Sequence, residues 1–126
     1  MILCDTNILI HYFNDHPKTV EEWNKIGRSN ILLPAVTVME LYRGMGNKPE
    51  LLQMRRTIRY YDVIHLDQQI SAKAIELLEN FKLSHDLKIP DALIGATAIV
   101  TGIRLFTYNT KDFGYMPGLT LYQTPA

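Results

Sequence analysis

Cysteine, net charge and long apolar runs are what this 126-residue sequence has least of. A single cysteine, Cys4, leaves no partner for an intrachain disulfide, so a reducing compartment such as the cytoplasm is the simplest expectation. No apolar run approaches the roughly 18 residues that a membrane-spanning helix needs. The early charge at Asp5, with no basic residue before it, argues against a secretory signal peptide. We therefore expect a cytoplasmic protein without a membrane partner.

The charge balance limits how this chain can attract a nucleic acid. Thirteen basic residues match thirteen acidic ones, so a polyanionic partner must meet a local basic patch rather than a positively charged molecule. The 47% hydrophobic and 21% charged content is typical of a globular protein. The length suits one core and is too short for two domains of ordinary size, which predicts a single domain over residues 1–126.

Short apolar runs alternate with amphipathic segments along the chain. Five runs are predicted strands, at 2–4, 31–33, 63–66, 104–107 and 120–122. Helical spacing of apolar residues predicts helices between them, including a long one capped by Asp67 and an almost wholly apolar one over 91–100. Strands that alternate with helices predict an α/β fold of three layers, α/β/α, around a mainly parallel sheet of about five strands.

Four acidic residues occupy equivalent places in this predicted fold, either directly after a strand or in the first turn of a helix. They are Asp5, Glu40, Asp91 and Asp112. The carboxyl ends of parallel strands meet at one edge of a sheet, and open α/β sheets bind their ligands beyond that edge. We therefore expect the four carboxylates to converge there.

Each acid also has a purely structural interpretation, and taken singly that interpretation is favoured. Glu40, three residues after Thr37, matches a capping box in which the glutamate only satisfies a backbone N–H. Asp91 matches an acid favoured by the helix dipole, and Asp5 and Asp112 could each hold an Asx turn.

Taken together, the four acids indicate a metal site. Clustered anions repel one another unless a cation joins them. Oxygen ligands without histidine or cysteine favour Mg²⁺ or Mn²⁺ over Zn²⁺. Ions of this kind activate water and stabilise the leaving oxygen when phosphodiesters are hydrolysed.

Four motifs surround these acids and span almost the whole chain. They are Asp5-Thr6-Asn7, Glu40 with Leu41 and Gly44, the segment PDALIGATA at 90–98, and Thr107-x-Asn109-x-x-Asp112-Phe113. In order and spacing they resemble the PIN-domain ribonucleases, and most closely the VapC-type toxins of bacterial toxin–antitoxin pairs. The third and fourth motifs carry the specificity, because Asp-Thr-Asn alone is a weak signal.

The resemblance implies a PIN-like nuclease domain over residues 1–126 and an endoribonuclease that depends on Mg²⁺ or Mn²⁺. It implies that the catalytic and metal-binding residues are Asp5, Glu40, Asp91 and Asp112. Four polar residues would orient these carboxylates or bound water: Thr6, Asn7, Thr107 and Asn109. Members of the family are usually homodimers silenced by a cognate antitoxin, so the expected partners are an RNA substrate, an antitoxin protein and a second copy of this chain.

Side chains outside the motifs add candidate RNA contacts. Arg43 follows Glu40 by three residues and shares its helix face, where it could touch phosphate or pair with an acid. Three further arginines fall on one predicted helical turn, for which a solvated surface is slightly favoured over RNA contact: Arg55, Arg56 and Arg59. Tyr108 and Tyr115 could stack on RNA bases.

The remaining polar and aromatic residues have structural interpretations. Phe113 could also stack on a base, but core packing is at least as reasonable for it. The four histidines show no spacing typical of metal ligands and are expected to be structural.

Three other functions compete with a toxin ribonuclease. An aspartyl-phosphate phosphatase would use Asp5 as nucleophile, but it needs a second acid two residues later, where Asn7 stands. A PIN-fold module that binds RNA or protein without cleavage would not need the intact set of acids. A housekeeping RNA-processing nuclease would lack a neighbouring gene for a small DNA-binding antitoxin.

Overall fold

The computed structural model describes residues 1–123, so the last three residues of the predicted domain lie outside the described range. The strands within that range are β1 (Ile2–Cys4), β2 (Ile31–Pro34), β3 (Asp62–Ile64) and β4 (Arg104–Phe106). The helices are α1 (Thr6–Phe13), α2 (Pro17–Ile26), α3 (Ala35–Arg43), α4 (Lys48–Ile58), α5 (Gln68–His85), α6 (Ile89–Thr101) and α7 (Thr110–Phe113). A single 3₁₀ turn at Arg28–Asn30 leads into β2.

The four strands form one parallel sheet in the order β3-β2-β1-β4. Ile2 of β1 lies opposite Ile31 of β2 and Arg104 of β4, and every residue of β1 and β2 is buried. This confirms the predicted α/β fold with a parallel sheet. Since all four strands run the same way, the residues that follow them lie at one edge of the sheet.

Two apolar clusters cover the two faces of the sheet, as the three-layer prediction requires. Leu3 and Leu105 point to the face covered by α5 and α6, where they join Leu77 and Ile94. The neighbouring strand residues point to the face covered by α1 to α4: Ile2, Cys4, Leu33 and Phe106, with Trp23 and Leu41. Side chains that alternate between two buried faces explain why these strands are apolar throughout.

The predicted fifth strand is reduced to a single parallel bridge between Leu105 and Leu121. Leu105 N donates to Thr120 O over 2.9 Å, and Tyr122 N donates to Leu105 O over 2.8 Å. The segment therefore pairs with β4 at the edge of the sheet, but it is too short to count as a strand of the ladder.

Local sequence signals set the ends of several helices. Asp67 caps α5, as predicted, because its Oδ1 accepts from Ile70 N over 2.8 Å. The helix runs on to His85, and residues 86–88 connect it to α6. Gly27, at φ 85°, ends α2 with a backbone conformation that glycine adopts without strain. Within residues 1–123, no helix combines the length and apolar character needed to cross a bilayer.

Candidate active site

Asp5 lies at the carboxyl end of β1, where the chain turns into α1. Its backbone N–H continues the pairing with β4 by donating to Phe106 O over 3.0 Å. One carboxylate oxygen accepts from Thr6 N at 2.7 Å and the other from the Thr107 hydroxyl at 2.8 Å. The carboxylate is thus fixed from two sides, and only 5% of the residue is exposed.

The environment of Asp5 disfavours a negative charge. Burial is the largest cause and raises the pKa of its carboxyl, while the hydrogen bonds from Thr107 and Thr6 act in the opposite direction. The nearby charges of Glu40 and Asp112 raise the pKa further. Asp5 would therefore be stabilised in its ionised form by a cation placed beside it.

Glu40 is tied to the same region by Thr6. The Thr6 hydroxyl donates to Glu40 Oε1 over 2.7 Å and also lies 3.3 Å from the Thr37 hydroxyl. The capping-box interpretation of Glu40 is therefore wrong. Helix α3 begins at Ala35, directly after β2, so Thr37 is already inside the helix and fully buried.

Asp91 occupies the first turn of α6 and is half-buried. Burial raises the pKa of its carboxyl to about 6, helped by the charges of Asp5, Asp112 and Glu40 in that order. Contacts place the four acids, which come from four separate parts of the chain, at one edge of the sheet. Thr6 donates to both Asp5 and Glu40, and Asp91 and Asp112 line one cavity.

The segment after β4 brings the fourth acid to this edge. Thr107 accepts from Asn109 N at 3.0 Å while its hydroxyl donates to Asp5, so one side chain fixes both the turn and the buried carboxylate. Asn109 then begins the short helix α7, in which Asp112 is exposed. The Asn109 side chain makes no capping hydrogen bond, and the residue is exposed.

The oxygen atoms at this edge are of the kind that binds a hard divalent cation, but they do not form a complete coordination site. Among residues 1–123, no three acidic, histidine or cysteine side chains are placed closely enough to hold a metal ion without moving. The available oxygens are carboxylates and one amide, the kind that Mg²⁺ and Mn²⁺ prefer. Asn7 Oδ1 is buried and has no hydrogen-bond partner within the described chain. An unpaired buried acceptor beside Asp5 fits a site completed by a bound ion and its water.

The predicted arginines lie on exposed surfaces. Arg43 is in the last turn of α3, on the same helix as Glu40. The exposed turn at the end of α4 carries the other three: Arg55, Arg56 and Arg59. Among the ion pairs of the described residues, none involves these four arginines.

Two aromatic clusters near the acids were not predicted as clusters. His11 packs edge-on against His16 and Tyr108, and the buried Thr19 hydroxyl bonds both His16 and Tyr108. On the other side, His85 stacks on Tyr115. From the sequence, the histidines are expected to be structural because they lack the spacing of metal ligands. The sequence does not predict that His11 contacts Tyr108 or that His85 contacts Tyr115, because these partners are distant along the chain. Phe113 is fully buried in the core, so the packing interpretation was correct for it.

Comparisons with known proteins give a family model and several solved structures that match this chain. A family model described as PIN domain matches residues 2–118. A chain of a toxin–antitoxin complex from Klebsiella pneumoniae is 30% identical, with a TM-score of 0.79 over 98% of this chain and 100% of that one. VapBC2 from Rickettsia felis, bound to a DNA fragment from its promoter, gives 23% identity and a TM-score of 0.81 over 97% and 98%. FitAcB from Neisseria gonorrhoeae is 20% identical, with a TM-score of 0.77 over 97% of each chain. A search of curated protein sequences gives no match.

Proposed function

This chain belongs to the PIN domain family, and from that premise we propose that it is a Mg²⁺- or Mn²⁺-dependent endoribonuclease, the VapC-type toxin of a toxin–antitoxin pair. Its fold is that of the solved VapBC complexes. The observation that carries the proposal is the placement of four acids at the carboxyl edge of the sheet, where Thr6 donates to both Asp5 and Glu40 and one cavity is lined by both Asp91 and Asp112. We place the protein in the cytoplasm, where RNA and a reducing environment are found.

In this proposal Asp5, Glu40, Asp91 and Asp112 would hold the ion. An ion bound there would supply activation of water for attack on a phosphodiester and would offset charge on the leaving oxygen. Other side chains hold these acids in position. Thr107 and the Thr6 backbone fix Asp5, and the Thr6 hydroxyl fixes Glu40.

Two further polar side chains complete the proposed site. Asn7 offers a buried amide oxygen without a partner, which suits it to accept a hydrogen bond from ordered water. Asn109 projects from the turn that Thr107 stabilises, and we assign it a contact with the ribose or phosphate of the substrate.

The test is cleavage of single-stranded RNA by the purified chain with Mg²⁺ or Mn²⁺ and with EDTA. Asp5→Asn and Asp91→Asn should each lower the rate by roughly 100-fold or more, because an ion that loses a ligand forfeits several kcal/mol of transition-state stabilisation. Asp62→Asn is the matched control, since Asp62 is an exposed acid on β3. Cleavage that persists in EDTA, or that only Zn²⁺ restores, would contradict the proposed chemistry.

The toxin role rests on similarity to a chain of a toxin–antitoxin complex from Klebsiella pneumoniae. We propose a cognate antitoxin and a homodimer for this chain as well. Large apolar side chains exposed on α5 and at the start of α6 are available for such contacts: Ile75, Leu83 and Ile89. Induction of the chain in bacteria should arrest growth, and the product of a small neighbouring reading frame should relieve the arrest. Growth that continues despite active enzyme would favour an RNA-processing role instead.

A further inference from the structure

A cavity of about 270 Å³ opens directly beside two of the four acids. It is lined by Asp91 and Asp112, by the rings of His85 and Tyr115, and by the connection between α5 and α6. Cavities that hold drug-sized molecules span about 300–1,000 Å³. The volume therefore suits a group of the size of one nucleobase rather than a larger ligand.

Two rings of this cavity form a stacked pair. The centroids of His85 and Tyr115 are 3.8 Å apart, with an angle of 18° between the ring planes. Phe81 supports the pair from α5, at 5.6 Å from His85 and 5.0 Å from Tyr115, edge-on to both. Phe81 and Tyr115 also pack against the main core cluster. Because the rings are already held in place, binding of a ligand against them costs the protein little additional conformational entropy.

The charges around the cavity favour an uncharged group on the ring side. Asp86 accepts from Lys82 Nζ at 2.6 Å and from Lys88 Nζ at 2.8 Å, so the one lysine that lines the cavity is already paired. Their hydrogen bonds and positive charges lower the pKa of Asp86 to about 2. The other charged groups of the lining are Asp91 and Asp112. A phosphate would be repelled from this side unless a cation intervened, whereas an aromatic base would not.

Tyr115 connects the ring pair with the acids. Its ring lines the same cavity as Asp91 and Asp112. A nucleotide whose phosphate reaches the acids would therefore find an aromatic surface for its base in that cavity.

We propose that His85 and Tyr115 form a base-binding platform for one of the two nucleotides that flank the scissile phosphate. The inference rests on the proposed ribonuclease function and adds to it a pair of residues that position the substrate. Aromatic and histidine rings are common partners of unstacked RNA bases, since every base has a face that can stack. The platform shares the cavity with Asp91 and Asp112, so binding of the base fixes which phosphodiester bond faces the acids.

The experiment measures binding of a short fluorescent single-stranded RNA and of a series of the same RNA in which one base at a time is removed. All binding is measured in Mg²⁺ with an Asp5→Asn background, which prevents cleavage by removing a proposed metal ligand. Asp5 is chosen because it does not line the cavity. Loss of one particular base should weaken binding about tenfold more than loss of any other, a size that stacking of one base can supply. His85→Ala should abolish this excess penalty, and Tyr115→Phe, which keeps the ring, should preserve it.

His65→Ala is the control, because His65 is an exposed histidine beyond β3, at the far side of the sheet from β4. His85 is itself exposed, so its removal should leave the fold intact. If the Asp5→Asn and wild-type chains both fail to bind RNA, the ribonuclease proposal and the platform fail together. If the excess penalty survives in His85→Ala, the platform alone is overturned.

Discussion

The Thr107 hydroxyl donates to Asp5 Oδ2 over 2.8 Å and so joins two residues 102 positions apart in the chain. Asp5 follows the central strand β1, and Thr107 follows the neighbouring strand β4. The bond is buried at both ends. A carboxylate that is fixed in this way keeps its position while other ligands of the site adjust around it.

We predict that Thr107→Val destabilises the chain and Thr107→Ser does not. Valine leaves Asp5 buried without one of its two donors, and loss of a hydrogen bond to a charged group costs about 1.5–3 kcal/mol. Serine retains the hydroxyl. Denaturant unfolding of the three proteins in EDTA measures the difference. Equal stability of the valine variant would mean that water replaces the hydroxyl without cost.

The same substitution should move the titration of Asp5. Its hydrogen bond from Thr107 lowers the pKa of the Asp5 carboxyl against the effect of burial. In Thr107→Val the pKa should therefore rise above the wild-type value, whereas in Thr107→Ser it should remain close to it. Carbon-detected NMR of the side-chain carboxyl across a pH series tests this directly, and a lowered pKa in the valine variant would refute it.

A second prediction concerns the close packing of α6. A Cβ atom on Gly95 would lie 2.4 Å from Met116 Sδ, and Met116 is itself only 2% exposed. Gly95→Ala should therefore cost about 1–3 kcal/mol of stability through overpacking. Adding Met116→Ala should recover part of the cost, so that the double variant is more stable than the sum of the single effects predicts. Gly46→Ala, at an exposed site without such a contact, is the control.

Much of the fold could be predicted because its signals are local. The apolar runs of β1 and β2, the cap at Asp67 and the glycine after α2 each depend on a few neighbouring residues. The fifth strand was overestimated for the same reason. Thr120 to Tyr122 has strand-like composition, but only Leu121 forms a bridge, since the ladder ends at the edge of the sheet.

The site could be predicted as a set of acids but not as a set of contacts. Glu40 shows the limit, because its partner is the hydroxyl of Thr6, 34 residues earlier, and not a group in its own helix. The capping-box pattern around Thr37 was compatible with the sequence until the start of α3 was known. The pairing of His85 with Tyr115 likewise depends on how α5 and the segment after α7 come together, which spacing along the chain does not reveal.

A third prediction tests the exposed arginines as RNA contacts. If the turn at the end of α4 binds phosphates, replacing Arg55, Arg56 and Arg59 with alanine should weaken RNA binding. The slope of log affinity against log salt concentration should become shallower by about 2, because each phosphate contact on single-stranded RNA contributes about 0.7. Binding of RNA to an Asp5→Asn background across a salt series measures the slope.

The control for the arginines removes positive charge elsewhere. Lys25 and Lys73 lie on other helices and form ion pairs with Glu21 and Glu76, so their replacement should leave the slope nearly unchanged. If the slope is also unchanged in the arginine variant, the turn at the end of α4 is an ordinary solvated surface that does not bind RNA phosphates. The same series with Arg43→Ala alone separates a contact near Glu40 from contacts on α4.

The last prediction concerns the stability of the metal-free protein as a function of pH. The folded-state pKa of Asp91, about 6, exceeds its ordinary value of 3.8, so ionisation of this carboxyl disfavours the folded state. Its contribution to stability is therefore greatest at acid pH, falls as the pH rises from about 4 to about 6, and is constant above that range. Asp91→Asn should remove this decline and, at neutral pH in EDTA, should leave stability unchanged or raise it by roughly 1 kcal/mol, the order expected for like charges at an effective dielectric near 20.

Addition of Mg²⁺ distinguishes two interpretations of the four acids: one shared cation site, or four acids that each only cap a helix. The ion binds the folded chain and not the unfolded one, so millimolar Mg²⁺ should stabilise the wild-type protein by mass action and the Asp91→Asn variant much less. If each acid only capped a helix, Asp91→Asn would instead cost about 0.3–1 kcal/mol in EDTA, because a negative charge near a helix N-terminus is favourable. Unfolding of both proteins with and without Mg²⁺ distinguishes the two cases. Destabilisation of the metal-free variant together with no effect of Mg²⁺ on the wild type would mean that the carboxylates, although close, do not share a cation, and the ribonuclease proposal would then rest on family membership alone.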